Sequence, residues 1–169
     1  PTGFIPQEDQ GVLMAQITLP TGATLEQTQA VADKVQQYFL EKEAEAVTSC
    51  MTIVGSGFSG RAQNNSMVYV MLKDWHERER KDLRAKAIAD RAMAALSRVR
   101  EANITVFPPP AIRELGNATG FDFQLIDMGG IGHEALMATR NQLLEMAAQH
   151  PALQRVRPNG MEDVPEYRV

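Results

Sequence analysis

The sequence predicts an α+β protein assembled from strand-helix-strand units, and three observations carry that expectation. Apolar residues switch from a period of two to a period near 3.6 and back, the switches recur about every 55 residues, and glycine or proline clusters separate them. The 169 residues are 44% hydrophobic and 22% charged, a globular balance, and a chain of this length buries roughly two thirds of its unfolded surface without disulfides or metal.

The first strand is expected over Val12 to Leu19, where small polar and apolar side chains alternate before Pro20-Thr21-Gly22. Thr24 and Gln27 then have capping-box spacing, and Val31, Val35, Tyr38 and Phe39 fall on one helical face. Thr48 to Val54 suits a strand and ends in glycines. A second round comprises a strand over Met67 to Leu72, a helix from about Asp82 to Arg100 with Ile88, Ala92, Ala95, Leu96 and Val99 inward, and a strand over Asn103 to Phe107. Pro108-Pro109-Pro110 forces an extended change of direction. A third round runs from Phe121 to Asp127, turns at Gly129-Gly130, continues as a helix from about His133 to His150, and returns over Leu153 to Arg157.

Two interleaved units make a four-stranded antiparallel sheet with both helices on one face, the ferredoxin-like split βαβ arrangement. The expected organisation is therefore a complete βαββαβ subdomain over residues 1–117 and half of a second βαβ subdomain over 118–169, on antiparallel or mixed sheets. The half sheet would leave an open edge, so its partner is expected beyond Val169 or on another chain. Both ends of the sequence read as cut from something longer.

Composition excludes several functions. The net charge is −4 and the densest charge run, Glu77 to Arg84, alternates in sign, so nucleic acid is a poor partner. No apolar run approaches the roughly 18 residues needed to cross a bilayer. The one cysteine, Cys50, sits in an apolar-leaning run and reads as an inert buried thiol. Gly55-x-Gly57-x-x-Gly60 matches a dinucleotide fingerprint, but that motif works by opening a helix at its third glycine. Here Arg61 to Ser66 reads as a polar turn leading into a strand. His133-Glu134 has Met137 where a second zinc ligand should stand, and His76 and His150 lie on other elements. No catalytic residue, metal or cofactor is assigned, and the chain is not expected to be an enzyme.

Two features point to contact rather than chemistry. Phe58 is a large aromatic alone in a glycine and serine loop. Met14, Met51, Met67 and Met71 fall in the strands beside it, where a flexible thioether wall could fit ligands of varied shape or simply fill the sheet core.

Several separated motifs then occur in one order along the whole chain: Phe4-Ile5-Pro6-Gln7-Glu8-Asp9-Gln10-Gly11, Gly57-Phe58-Ser59-Gly60-Arg61, Leu72-Lys73-Asp74-Trp75, Glu114-Leu115-Gly116-Asn117-Ala118-Thr119-Gly120-Phe121-Asp122-Phe123, and Val156-Arg157-Pro158-Asn159-Gly160. Together they resemble the acriflavine-resistance type pumps of the resistance-nodulation-division (RND) multidrug efflux family. That resemblance implies a periplasmic porter piece of a trimeric, proton-driven inner-membrane pump: the first porter subdomain of the second repeat and half of the next. The proton-carrying groups of such pumps lie in membrane helices outside this sequence. Implied partners are amphiphilic drugs or other small hydrophobic compounds, the rest of the homotrimer, a periplasmic adaptor protein and an outer-membrane channel.

By position, the resemblance places Gly57 and Phe58 on a loop between an outer access pocket and a deep one. Met51, Ile53 and Tyr69 would line the deep side, and Met14, Phe107, Glu114, Leu115 and Arg157 the outer side. Ser56, Thr105 and Pro109 stand where aromatic or aliphatic groups are common in the family, which implies less aromatic pockets. A structural and docking module, holding neighbouring protomers and an adaptor without touching ligand, is the alternative reading.

Overall fold

A computed structural model describes residues 8–57, 60–109 and 123–153, with Val156 and Pro158. Residues up to 109 and residues from 123 onward belong to separate compact units. In the first, β1 (Val12–Thr18), α1 (Leu25–Lys42), β2 (Val47–Gly57), β3 (Gly60–Leu72), α2 (Ala85–Leu96) and β4 (Asn103–Phe107) follow one another. The sheet order is β2-β3-β1-β4, with every neighbouring pair antiparallel. This is the α+β architecture expected from two interleaved units.

Strand alternation decides where the core forms. Leu13, Ala15 and Ile17 of β1, Val68, Val70 and Leu72 of β3, and Ile104 and Val106 of β4 join one buried cluster with Val31, Ala32, Val35 and Phe39 of α1 and Ile88, Ala89, Ala92 and Leu96 of α2. Both helices therefore cover the same face of the sheet. The capping box forms as expected: the Gln27 N–H donates to Thr24 Oγ1 at 3.3 Å, and the Thr24 N–H donates to Gln27 Oε1 at 2.9 Å. Where α1 ends, the buried carboxylate of Glu43 receives Arg91 of α2 at 2.7 Å and the Tyr38 hydroxyl at 3.1 Å, joining the helices by a charge-assisted bond.

Three boundaries differ from the sequence expectation. The β2–β3 ribbon is longer, because Arg61 to Ser66 continues the strand rather than turning. Five of those six residues are polar, so no apolar alternation marks them. α2 starts at Ala85, not near Asp82, after a short 3-10 turn over Lys81–Leu83, and ends at Leu96, short of Arg100. Its N-cap residue, Arg84, offers no side-chain cap; the Ala85 N–H instead donates to Asp9 Oδ2 at 2.9 Å, from a group 76 residues away.

In the second unit, α3 (His133–Gln149) forms where expected, with Leu136, Leu143 and Leu144 half-buried and Ala147 buried. The Asp127 carboxylate accepts from the N–H groups of Gly129, Ile131 and Gly132 and so fastens the turn into it. The strand expected over Phe121 to Asp127 is corrected: residues 123–127 form no strand, since no partner among the described residues satisfies their backbone groups. Phe121 and Asp122 lie outside the described residues. So does most of the return strand over Leu153 to Arg157, whose described members Leu153 and Val156 are not in a strand.

Asp9 has a wider role than capping. Its carboxylate also accepts from Arg78 Nη1 at 3.0 Å, Arg78 Nη2 at 3.2 Å and the Gly11 N–H at 2.9 Å. The Arg78 side chain is 1% exposed and donates further to the carbonyls of Lys73 and Leu83. Burial alone would raise the Asp9 carboxyl, but the bonds from Arg78, Ala85 and Gly11 and the Arg78 charge outweigh it, bringing the pKa from 3.8 to about 2. A folded pKa below the unfolded one stabilises the fold above pH 4, and this contribution is lost as pH falls from about 4 to about 2. Asp9→Asn should therefore lower stability by about 1–2 kcal/mol at neutral pH, and the difference from the unsubstituted chain should shrink below pH 4. Denaturant titrations across pH 2–7 check this; a gap that stays constant with pH would contradict it.

Candidate functional site on the sheet face away from the helices

Because successive side chains of a strand point to opposite faces, the residues between the core positions share the face away from α1 and α2. Cross-strand register sorts them into rows. Phe107, Met14, Tyr69 and Met51 form one continuous row, since Met14 pairs with both Phe107 and Tyr69, and Tyr69 with Met51. Thr105, Gln16, Met67 and Ile53 form the next. Asn103, Thr18 and Asn65 form the third. On the other side of the first row, Val12 pairs with Met71.

The face is thus graded from aromatic and thioether groups to amides and hydroxyls. Met14 and Met67 are buried, at 9% and 4% exposure, whereas Met51 (51%) and Ile53 (41%) face solvent. The helix-facing neighbours of these last two have partners below: the Thr52 hydroxyl donates to Gln36 Oε1 of α1 at 2.9 Å, and Cys50 packs against the core. Burial raises the Cys50 thiol to about 11, which keeps it protonated and a poor nucleophile.

At its far end the β2–β3 ribbon bends away from regular pairing. The register jumps between Val54 and Ser56, so that Val54 opposes Ser66 while Ser56 opposes Arg61. Gly55 takes φ +79° at this bulge. Gly57 comes down on Asn65: a Cβ built on Gly57 would lie 3.3 Å from Asn65 Cβ, so only glycine allows this approach without a shift. Gly60 opens a strand, not a helix, so the glycine triplet lacks the helix N-terminus that pyrophosphate binding uses.

Of the residues assigned by position, Met14, Met51, Ile53, Tyr69 and Phe107 share this one face, and Gly57 closes its polar end. Phe58, Glu114, Leu115 and Arg157 lie outside the described residues. Gln16 and Asn65 were missed, although counting by twos from Met14 and from Tyr69 reaches both.

The exposed members of this face should matter little to folding. Met51→Ala and Ile53→Ala are expected to change stability by less than about 1 kcal/mol, whereas Phe39→Ala, on the covered face, should cost about 3–5 kcal/mol. Gly55→Ala, strained at positive φ, should cost about 1–2 kcal/mol. Denaturation midpoints of the four variants measure these differences, and a large loss from Met51→Ala would assign the exposed part of this face to the folding core.

Comparison with known proteins agrees with the motifs read from the sequence. Residues 1–169 match the AcrB/AcrD/AcrF family. Across its full length the chain is 51% identical to the multidrug export protein AcrF of Escherichia coli (strain K12). It is 48% identical to the multidrug resistance protein MdtF of the same strain and 49% identical to the multidrug/solvent efflux pump membrane transporter MepB of Pseudomonas putida. In each case the chain spans 16% of the relative's length. The chain belongs to the AcrB/AcrD/AcrF family, the acriflavine-resistance type of RND efflux protein that its separated motifs resemble.

Proposed function

We propose that this segment binds substrate within the periplasmic portion of a proton-driven multidrug efflux pump, as a component of a transporter rather than an enzyme. The observation that carries the reading is the sheet face away from α1 and α2. A row of Phe107, Met14, Tyr69 and Met51 on a rigid sheet supplies large apolar contact area with few directional bonds, the surface that amphiphiles of varied shape require. The names of the relatives, which include multidrug export and solvent efflux, support the same substrate class.

In this reading the face is one wall of a cleft whose opposite wall comes from elsewhere in a homotrimeric pump. Phe58, on the loop that follows Gly57, would stand between the access and deep sides of that cleft. Met51, Ile53 and Tyr69 form the deep side, and Met14, Phe107, Glu114, Leu115 and Arg157 the access side. Cleft opening and closing, driven by proton movement in membrane helices, would pass substrate toward an adaptor protein and an outer-membrane channel. None of the described helices is long and apolar enough to cross a membrane.

Phe58→Ala in the intact pump should reduce export of bulky apolar compounds several-fold in dye-efflux and growth-inhibition assays, with trimer assembly unchanged. Unchanged export of every compound, together with crosslinks from the Phe58 loop to protein alone, would instead make this segment a docking module.

A further inference from the structure

Burial sorts the sulfur groups of the first unit into those that a peroxide can reach and those that it cannot. A thioether reacts as the neutral group, so its exposure governs its rate, whereas a cysteine must first ionise. Cys50 is half-buried, and that burial raises its thiol to about 11, which leaves it protonated at neutral pH. Met14 and Met67 are buried, and the sulfur of the half-buried Met93 accepts the Val106 N–H at 3.0 Å. Met51 is placed differently. It lies on the edge strand β2 and, at 51% exposure, is the most open methionine among the described residues of this unit.

That position gives oxidation a consequence. Sheet order β2-β3-β1-β4 puts Met51 at one end of the row formed with Tyr69, Met14 and Phe107. Oxidation replaces an apolar thioether there with a sulfoxide, whose oxygen is a strong hydrogen-bond acceptor. At Met67, 4% exposed, such an oxygen would enter a buried site and burden the fold. At Met51 water reaches it, so the row changes polarity while the fold keeps its core.

We propose that Met51 is a reversible oxidation site for peroxide-class oxidants, and that its sulfoxide weakens the hold of this face on apolar cargo. This inference rests on the substrate-binding reading above and adds a regulation to it. In the step, the sulfur lone pair attacks one peroxide oxygen, and the S–O bond forms as the O–O bond breaks. The departing hydroxide takes the proton left on the transferred oxygen and leaves as water. Sulfur is oxidised by two electrons and the peroxide reduced by two. A thiol-dependent methionine sulfoxide reductase reverses the change: two thiols close to a disulfide and the oxygen leaves as water.

The test uses the full-length pump reconstituted in proteoliposomes and treated briefly with hydrogen peroxide. Peptide mass spectrometry should find sulfoxide at Met51 forming about tenfold faster than at Met14 or Met67, with the exposed Met128 of the second unit as the reference for an unprotected thioether. The same treatment should lower export of an apolar dye about threefold, and the reductase with dithiothreitol should restore it. In Met51→Leu, measured against its own untreated export, that loss should disappear. Met51→Gln, polar without oxidation, should show the loss before any peroxide is added. Equal oxidation rates at Met51 and Met67, or a loss that persists in Met51→Leu, overturns the proposal. Tyr69→Ala tests the reading on which it rests. If that variant and Met51→Gln leave export of every compound unchanged, the substrate-binding reading fails, whereas weakened export by Tyr69→Ala beside normal export by the oxidised pump sinks the proposal alone.

Discussion

Both crossover helices of this chain pack on the same side of one four-stranded sheet, and the consequences for the other side follow from the geometry of a strand. Alternate residues of β1, β3 and β4 are consumed by the core with Phe39, Val35 and Ile88, which leaves the intervening residues on the side away from α1 and α2. A face in that position normally turns polar. Here it carries Met14, Met51, Met67, Tyr69 and Phe107, with Met51 and Ile53 open to solvent. The core side chains under the helices and the solvent-exposed Met51 and Ile53 are therefore separate sets on neighbouring positions of the same sheet.

The connections reinforce this division. The Asp9 carboxylate links the start of β1, the Arg78 turn and the first N–H of α2 in one buried cluster, so the sheet and its second helix are fixed at the end away from the ribbon. At the other end the β2–β3 pairing breaks at Gly55 and continues as an outlying hairpin.

Much of this was legible in the sequence because the signals were local. The Thr24–Gln27 capping box, the limits of β4 and the helical stripe of α1 each depend on residues within a turn or two of one another. What was not legible depends on distance or on backbone. The start of α2 is set by Asp9, 76 residues earlier, and nothing near Ala85 announces it. The extra length of β3 is held by backbone pairs under polar side chains, which carry no alternating pattern. The site was half legible: single residues came from the family motifs, but their union on one face, and the polar row that includes Asn65, required the register. The expected strand before α3 failed for a related reason, since a strand needs its partner as well as its sequence.

The claim on which this account turns is that the sheet face away from the helices touches cargo. A photo-crosslinking side chain placed at Tyr69 in the intact pump, with a second at the core position Val70 as control, tests it most directly. The account predicts drug adducts at position 69 that compete with unlabelled drug, and none at position 70. Crosslinks from position 69 to protein alone, unaffected by any drug, would contradict it.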